Sequence, residues 1–176
     1  MGTIEKYSRV EYERRWLVRP AADWRQLVEP YSKHLHDRYI DHTRLRLRYL
    51  TNSDTGPQPC KLGKKYASRS PYKQPIVGIE LSRDETSLLE ALPARTITKR
   101  RYYFHRRDDI FSIDVFEEDL AGLVICEFEA ESIDALMAVE PPDFLTVEVT
   151  NDIFFTGGSL CRITASELKE KLRSAL

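Results

Sequence analysis

Charged and apolar residues alternate at a period of two along much of this chain, which is the periodicity of a β-strand. Like charges recur on one face of successive candidate strands: Glu11 and Glu13, then Arg44, Arg46 and Arg48, then Lys99 and Arg101, then Glu127 and Glu129. Neighbouring like charges on a sheet face repel each other. This face therefore points outward to water, or it lines a polar interior where a ligand or counter-ion neutralises the charges.

The two signs of charge are segregated along the chain. The 176 residues hold 27 Lys and Arg against 28 Asp and Glu, so the net charge is close to zero. Residues 44–107 carry 15 basic and 5 acidic residues, whereas residues 108–152 carry 14 acidic residues and no Lys or Arg. The two blocks either form surface ion pairs, each worth roughly 0–1 kcal/mol, or build a site that needs both signs. Near-neutrality argues against a simple nucleic-acid or anionic-membrane binder.

The alternation and the turn residues predict a mainly β, α+β domain that spans residues 1–176. Strands are predicted at 9–18, 38–50, 60–66, 74–81, 96–105, 110–117, 122–130 and 144–150. Short helices are predicted at 20–28, 82–92, 132–138 and 165–175, and two of these begin with a capping box. About eight strands with few helices indicate an antiparallel sheet closed on itself.

Cysteine usage and hydropathy predict a cytoplasmic protein. Cys60, Cys126 and Cys161 are odd in number, far apart and without a CxxC pair, so free thiols in a reducing compartment are expected. No stretch approaches the roughly 18 consecutive apolar residues of a membrane span. The N-terminal residues show no apolar core of a secretory signal.

Several motifs, in order along the chain, resemble the CYTH domain, also called the triphosphate tunnel metalloenzyme family. Glu11-Tyr-Glu13-Arg14-Arg15 is similar to the family's ExExK signature, with Arg in place of the usual Lys. The other matching segments are Arg46-Leu-Arg48, Cys60–Tyr66, Lys99-Arg-Arg101-Tyr102, Ile113-Asp-Val-Phe116, Ala121-Gly-Leu123, Glu127-Phe-Glu129 and Glu148–Asp152. The resemblance covers residues 8–160. It departs at Ile76-Val-Gly78, where the family often has acidic residues, and after Asp152.

The resemblance implies a closed eight-stranded antiparallel β-barrel with an open tunnel, in which a triphosphate and divalent cations bind. It assigns catalytic roles to Glu11, Glu13 and Arg15. The expected phosphate-binding cations are Arg46, Arg48, Lys61, Lys99 and Arg101. The expected ligands for Mg²⁺ or Mn²⁺ are Glu11, Glu13, Asp114, Glu127, Glu129 and Glu148. These residue types suit the chemistry, since Arg binds phosphate in a bidentate manner and Mg²⁺ prefers carboxylate oxygens.

Three functions remain open at this point. The first is a metal-dependent phosphohydrolase that cleaves the terminal phosphate of inorganic triphosphate or of a small organic triphosphate. The second is an adenylate cyclase of the same family, and the third is a non-catalytic polyphosphate- or nucleotide-binding module. We favour hydrolysis, because no obvious adenine-reading set is present and mere binding would not need every carboxylate. The expected partner is a small triphosphate, with no nucleic-acid polymer and no membrane, and a homodimer stays open.

A few other residues have simpler expected roles. His34, His36 and His42 lack a fourth ligand at zinc spacing and are expected at the surface. Lys64 and Lys65 either contact the substrate or solvate a hairpin. Cys126 alternates with Glu127 and is therefore expected in the shell between the sheet and its helices.

Overall fold

Eight antiparallel strands close into a barrel in the computed structural model, which describes residues 8–176. The strands are β1 Arg9–Val18, β2 Lys33–Ile40, β3 Leu45–Asn52, β4 Gly56–Pro57, β5 Lys61–Lys65, β6 Lys73–Glu80, β7 Ala94–Arg106, β8 Asp109–Phe116, β9 Val124–Ala130 and β10 Leu145–Glu148. Around the barrel the order is β1-β6-β5-β3-β2-β7-β8-β9, and β9 pairs with β1 to close it. Strands β4 and β10 are additions that pair with β3 and β1. The predicted fold class is confirmed.

Four helices flank the barrel. They are α1 Arg83–Glu90, α2 Ile133–Ala138, α3 Gly157–Leu160 and α4 Ala165–Ala175, with short 3₁₀ helices at Trp24–Gln26, Glu118–Leu120 and Ile153–Phe155. The capping boxes of α1 and α4 are both formed, with reciprocal bonds between Ser82 and Glu85 and between Thr164 and Glu167. No helix within residues 8–176 is long and apolar enough to cross a membrane. The first seven residues of the N-terminal segment in which no secretory signal was expected lie outside the described part.

The helix predicted at 20–28 is wrong, because only one 3₁₀ turn forms there. Asp23 makes no side-chain capping bond to this turn. Trp24 is buried, and its ring meets the Tyr102 ring edge-on at 5.7 Å. Val28 forms an isolated β-bridge with Phe104. These tertiary contacts hold the segment against the barrel wall.

The single strand predicted at 38–50 is also wrong, because a hairpin turn at residues 41–44 divides it. His42 adopts a left-handed conformation with φ of 60°, and Thr43 Oγ1 donates a hydrogen bond of 2.9 Å to the Ile40 carbonyl. Polar residues in the turn continue the alternation of the flanking strands, so the pattern does not reveal the break. Strand β2 therefore begins at Lys33, and Asp37 lies on its inner face.

Alternation along the strands sorts the side chains into an outer and an inner set. The outer set builds a core against α2, in which Trp16, Phe111, Ile113, Cys126 and Leu136 are each 2% exposed or less. Cys126 lies in this shell, as predicted. All three cysteines are free, with Cys60 and Cys126 buried and Cys161 half-buried.

One end of the barrel interior is filled by apolar side chains that we call the sealing cluster. Its buried members are Leu17, Ile97, Phe116, Leu120, Leu123, Ile125, Val149, Phe155, Leu160 and Leu168. Strand residues from the inner face therefore pack against the C-terminal segment. The backbone of this segment passes close to β2 at Gly157, where a Cβ would overlap the Tyr39 hydroxyl. The tunnel expected to be open is thus closed on this side.

An interior ion pair joins β2 to β3. Asp37 lies directly opposite Arg48, and its two carboxylate oxygens accept hydrogen bonds of 2.7 and 2.6 Å from Arg48 Nε and Nη2. Asp37 is 1% exposed. Burial alone would raise its pKa, but Arg46 and Arg48 outweigh burial and hold the pKa well below the usual carboxyl range. The pair therefore stays ionised, and it joins two residues that lie directly opposite each other on β2 and β3.

Replacing Phe155 with Ala should lower the free energy of unfolding by about 3–5 kcal/mol, because the substitution opens a cavity in the sealing cluster. Denaturant-induced unfolding followed by circular dichroism measures this. Ile153→Ala is the control, since Ile153 in the same turn is 78% exposed and should cost within about 0.5 kcal/mol. Equal losses from the two variants would contradict the sealing cluster as described.

Asp37→Asn should destabilise the protein by about 3–5 kcal/mol at pH 7, because it leaves a buried guanidinium without its counter-ion. The folded pKa of Asp37 lies below its unfolded value of about 3.9. Its stabilisation is therefore complete above that unfolded pKa and is lost as the pH falls toward the folded pKa. Unfolding measured from pH 7 down to pH 3 should show a smaller gap between wild type and variant at low pH. A gap that is constant with pH would contradict this assignment.

Candidate active site

Four glutamates line two neighbouring strands of the barrel interior, and we call them the carboxylate wall. They are Glu11 and Glu13 of β1 with Glu127 and Glu129 of β9. The strand register places Glu13 directly opposite Glu129 and Arg15 directly opposite Glu127. The two ExE motifs thus come together on one surface because alternate residues share a face.

Five basic residues on β3, β5 and β7 line the rest of the interior, and we call them the cation wall. They are Arg46, Arg48, Lys61, Lys99 and Arg101. Arg48 lies opposite Lys61 in the register of β3 and β5. The two walls touch where the Arg101 guanidinium bonds the Glu127 carboxylate. Every predicted phosphate-binding residue therefore faces the same interior as the predicted ExE pairs.

Two buried aspartates hold four of these five cations in place. Asp37 binds Arg48 and lies 3.7 Å from Arg46 Nη1. Asp114 is fully buried and accepts bonds of 2.6 and 2.7 Å from Arg101 Nε and Nη2. The Lys99 ammonium also contacts Asp114. Such pairing offsets the desolvation of the buried charges and fixes the direction in which the cations point.

The carboxylate wall is electrostatically strained in the absence of further cations. Burial, followed by the neighbouring Glu127, raises the pKa of Glu13. Burial, followed by Glu11 and Glu13, raises the pKa of Glu129. Burial also opposes ionisation of Glu127, but Arg101, Lys99 and Arg15 together outweigh it and lower the pKa of that carboxyl. A bound cation would relieve this mutual repulsion.

Glu11 and Glu13 also contact basic side chains. Lys65 Nζ lies 3.6 Å from Glu11 Oε2, and Arg15 Nε lies 3.2 Å from Glu13 Oε1. Lys65 thus faces the interior, whereas Lys64 lies over the Tyr66 ring on the outer face. Contact with a substrate therefore stays a prediction for Lys65.

Arg15 reaches the end of the interior that carries the sealing cluster. Its Nη1 donates a bond of 2.7 Å to the Phe155 carbonyl, and its Nη2 donates one of 3.1 Å to the Thr150 carbonyl. The guanidinium therefore anchors the C-terminal segment while it neighbours Glu13. Arg suits this position, because its planar fork presents separate N–H groups to two carbonyls and a neighbouring carboxylate.

Two predicted metal ligands have other partners. Both oxygens of Asp114 are engaged by Lys99 and Arg101, as described above. Glu148 accepts bonds of 3.2 and 2.7 Å from Arg14 Nε and Nη2, and Arg14 lies over the Trp16 ring on the outer side. The structure thus separates Glu148 from the carboxylate wall. No group of three or more His, Cys, Asp or Glu among the described residues is arranged to hold a metal ion by itself.

The three histidines weighed as a zinc site, His34, His36 and His42, lie away from the carboxylate wall. His34 Nε2 is 3.0 Å from Glu117 Oε2, and His36 Nδ1 is 3.1 Å from Thr98 Oγ1. These contacts form on the outer face of β2 and β7. His42 is exposed in the turn before β3, where Arg44 is exposed as well.

Sequence reasoning missed two interior residues of β2. Asp37 is the counter-ion of Arg46 and Arg48, and Lys33 Nζ donates a bond of 2.8 Å to the Tyr103 hydroxyl. Both lie before residue 38, where the predicted strand begins. The polar turn Asp41-His-Thr-Arg44 was the signal that could have revealed the hairpin and extended the alternation to them.

Comparison of the whole structure with solved structures finds the same fold elsewhere. The inorganic triphosphatase NE1496 matches with a TM-score of 0.56 and 24% sequence identity, over 86% of this chain and 93% of that one. A second structure of NE1496, described as a hypothetical protein, matches with a TM-score of 0.54 and 24% identity, over 88% and 99%. A conserved hypothetical protein from Pyrococcus furiosus matches with a TM-score of 0.51 and 15% identity, over 73% and 83%.

Comparisons by sequence add nothing to this likeness. No protein-family model matches the chain, and no curated protein matches it significantly. The closed eight-stranded barrel and its structural matches show that the chain has the CYTH tunnel fold, as its ordered motifs predict.

Proposed function

We propose that this chain is a divalent-metal-dependent triphosphatase that cleaves the terminal phosphate of inorganic triphosphate or of a small organic triphosphate inside the barrel. The observation that carries the proposal is the meeting of the carboxylate wall and the cation wall in one closed interior. A triphosphate is a dense anion and needs several fixed cations. The carboxylate wall has no evident use in binding such an anion unless metal ions are bound with it. The fold shared with the inorganic triphosphatase NE1496 supports the same conclusion.

The residues present fit a divalent cation. The raised pKa values of Glu13 and Glu129 arise partly from their carboxylate neighbours, so positive charge there is favourable. Mg²⁺ commonly uses one or two carboxylates and completes its shell with water and substrate phosphate. A site without three converging protein ligands therefore suits it. We assign the four glutamates of the carboxylate wall to the metal, with Asp114 adjoining them through Arg101.

The remaining chemistry falls to this chain's own side chains. When bound, Mg²⁺ or Mn²⁺ supplies positive charge that polarises the phosphate oxygens and makes a nearby water more acidic. The cation wall binds the phosphate chain and stabilises charge on the departing diphosphate. Glu13, whose pKa is raised by burial and by the neighbouring Glu127, accepts a proton as water attacks the terminal phosphorus. The bond between that phosphorus and the bridging oxygen breaks, and orthophosphate forms.

A product assay tests the proposal directly. Inorganic triphosphate, ATP and thiamine triphosphate are offered separately with Mg²⁺ or Mn²⁺, and each product is identified. Release of orthophosphate that stops when the metal is chelated is the expected result. Formation of cyclic nucleotide and pyrophosphate from ATP would favour the cyclase instead, and tight binding without turnover would favour the binding module.

Glu13→Gln should lower kcat by about 10²–10⁴-fold, because the amide cannot accept the proton and binds a metal more weakly than a carboxylate. Orthophosphate release at saturating substrate and metal measures the loss. Glu131→Gln serves as the control, since Glu131 is exposed beyond the end of β9 and should leave kcat unchanged. The assignment is wrong if Glu13→Gln keeps both activity and metal dependence within a few fold.

Arg46→Ala should raise KM for triphosphate at least about tenfold, since a charge-assisted bond to phosphate is worth roughly 1.5–3 kcal/mol. Arg44→Ala is matched in chemistry and lies two residues away, but Arg44 is exposed in the hairpin turn. It should change KM less than twofold in the same steady-state assay. Equal effects of the two variants would remove Arg46 from the proposed phosphate site.

A further inference from the structure

A cavity of about 170 Å³ lies at the sealed end of the barrel, away from the charged interior, and we call it the flank cavity. Four segments that are distant in sequence form it: the end of β1, the 3₁₀ turn Trp24–Gln26, the start of β9 and the C-terminal end of α4. No residue of the carboxylate wall or of the cation wall lines it. The flank cavity is therefore a second concave site, separate from the proposed active site.

Much of the lining of the flank cavity is apolar. Leu17, Val18 and Trp24 line it, and each is 4% exposed or less. Leu172 of α4 lines another side and packs against the sealing cluster, to which Leu17 belongs. An apolar cavity of about 150 Å³ in a protein core holds one benzene molecule. The flank cavity therefore has room for a single ring or a short aliphatic chain.

Positive charge borders this apolar lining. Arg25 lines the flank cavity, and its guanidinium lies over the Trp24 ring with Cζ 4.6 Å from the ring centroid. Arg19 also lines the cavity, and both arginines are exposed. Within residues 8–176 neither of them forms an ion pair with a carboxylate, and no Asp or Glu lines the cavity. The guanidinium of Arg25 thus stands free beside an apolar surface.

We propose that the flank cavity binds a small organic carboxylate whose apolar body is about the size of one ring. The ring covers the apolar lining, and the carboxylate pairs with Arg25, whose planar fork can bind both oxygens. A neutral ring would leave the guanidinium unpaired, and a small anion without a ring would leave the apolar lining uncovered. The site is independent of the proposed triphosphatase, since the two share no residue.

Calorimetric titration of the whole protein at constant ionic strength tests the site with benzoate, benzyl alcohol and acetate. Benzoate carries the ring and the charge, benzyl alcohol carries only the ring, and acetate carries only the charge. We expect benzoate to bind with a Kd of about 1 mM or tighter, which is ordinary for a ligand of this size. Each of the other two should bind at least about tenfold more weakly, because it lacks the charged contact or most of the apolar area.

Variants at the rim of the flank cavity separate it from the interior. Arg25→Gln should weaken benzoate binding about 3–10-fold, because the amide cannot supply the charge. The double variant Arg19→Gln/Arg25→Gln should weaken it at least as much. Arg44→Gln is matched in chemistry and exposed in the hairpin turn, so it should change Kd less than twofold. Circular dichroism checks that each variant is folded.

Each outcome supports or overturns the proposal. Benzoate that binds no more tightly than acetate or benzyl alcohol, or that Arg25→Gln leaves unaffected, would overturn the site. Loss of benzoate binding in Arg46→Ala but not in Arg25→Gln would locate the ligand on the cation wall and would overturn it as well. Benzoate should also raise the midpoint of thermal unfolding, and by less in Arg25→Gln, because a ligand that binds only the folded state stabilises it. An equal rise in both proteins would contradict the site.

Discussion

Charge buried inside a closed barrel is the constraint on which the rest of this structure depends. An isolated charge in such an interior is costly, so each must have a partner or a ligand. Asp37 and Asp114 meet this requirement for the arginines and lysines that they hold. The carboxylate wall meets it only in part, because burial and neighbouring carboxylates raise the pKa values of Glu13 and Glu129. We propose that a bound metal cation removes this imbalance.

The sealing cluster and the ionic interior are parts of one arrangement. Leu17 and Ile125 continue the inner faces that carry Glu13 and Glu127, so the same strands change from polar to apolar toward one end. Arg15 joins the two regions, since it bonds the carbonyls of Thr150 and Phe155 while it neighbours Glu13. The C-terminal segment therefore closes the barrel at the end next to Glu13.

Much of the fold follows from local patterns in the sequence. Alternation identified the strands and correctly sorted Cys126 from Glu127, and the capping boxes at Ser82 and Thr164 marked helix starts. Local patterns failed to predict secondary structure at two places. Tertiary contacts of Trp24 replace the helix predicted there, and a turn at His42 divides the predicted strand. The ion pairs of Asp37 with Arg46 and Arg48 could not be predicted, because they depend on which strands become neighbours in the barrel. Glu148 shares the acidic character of the metal-ligand set, and only its contact with Arg14 shows that it faces away.

The central claim is that metal and triphosphate share one site, with the carboxylate wall serving the metal and the cation wall serving the phosphate. Calorimetric titration of the protein with Mn²⁺, in the absence and presence of a non-hydrolysable triphosphate analogue, tests it most directly. Two ligands that bind side by side with opposite charge should strengthen each other's binding by the same factor. We predict that the analogue tightens Mn²⁺ binding at least tenfold. Mn²⁺ affinity that is unchanged by the analogue would contradict the shared site.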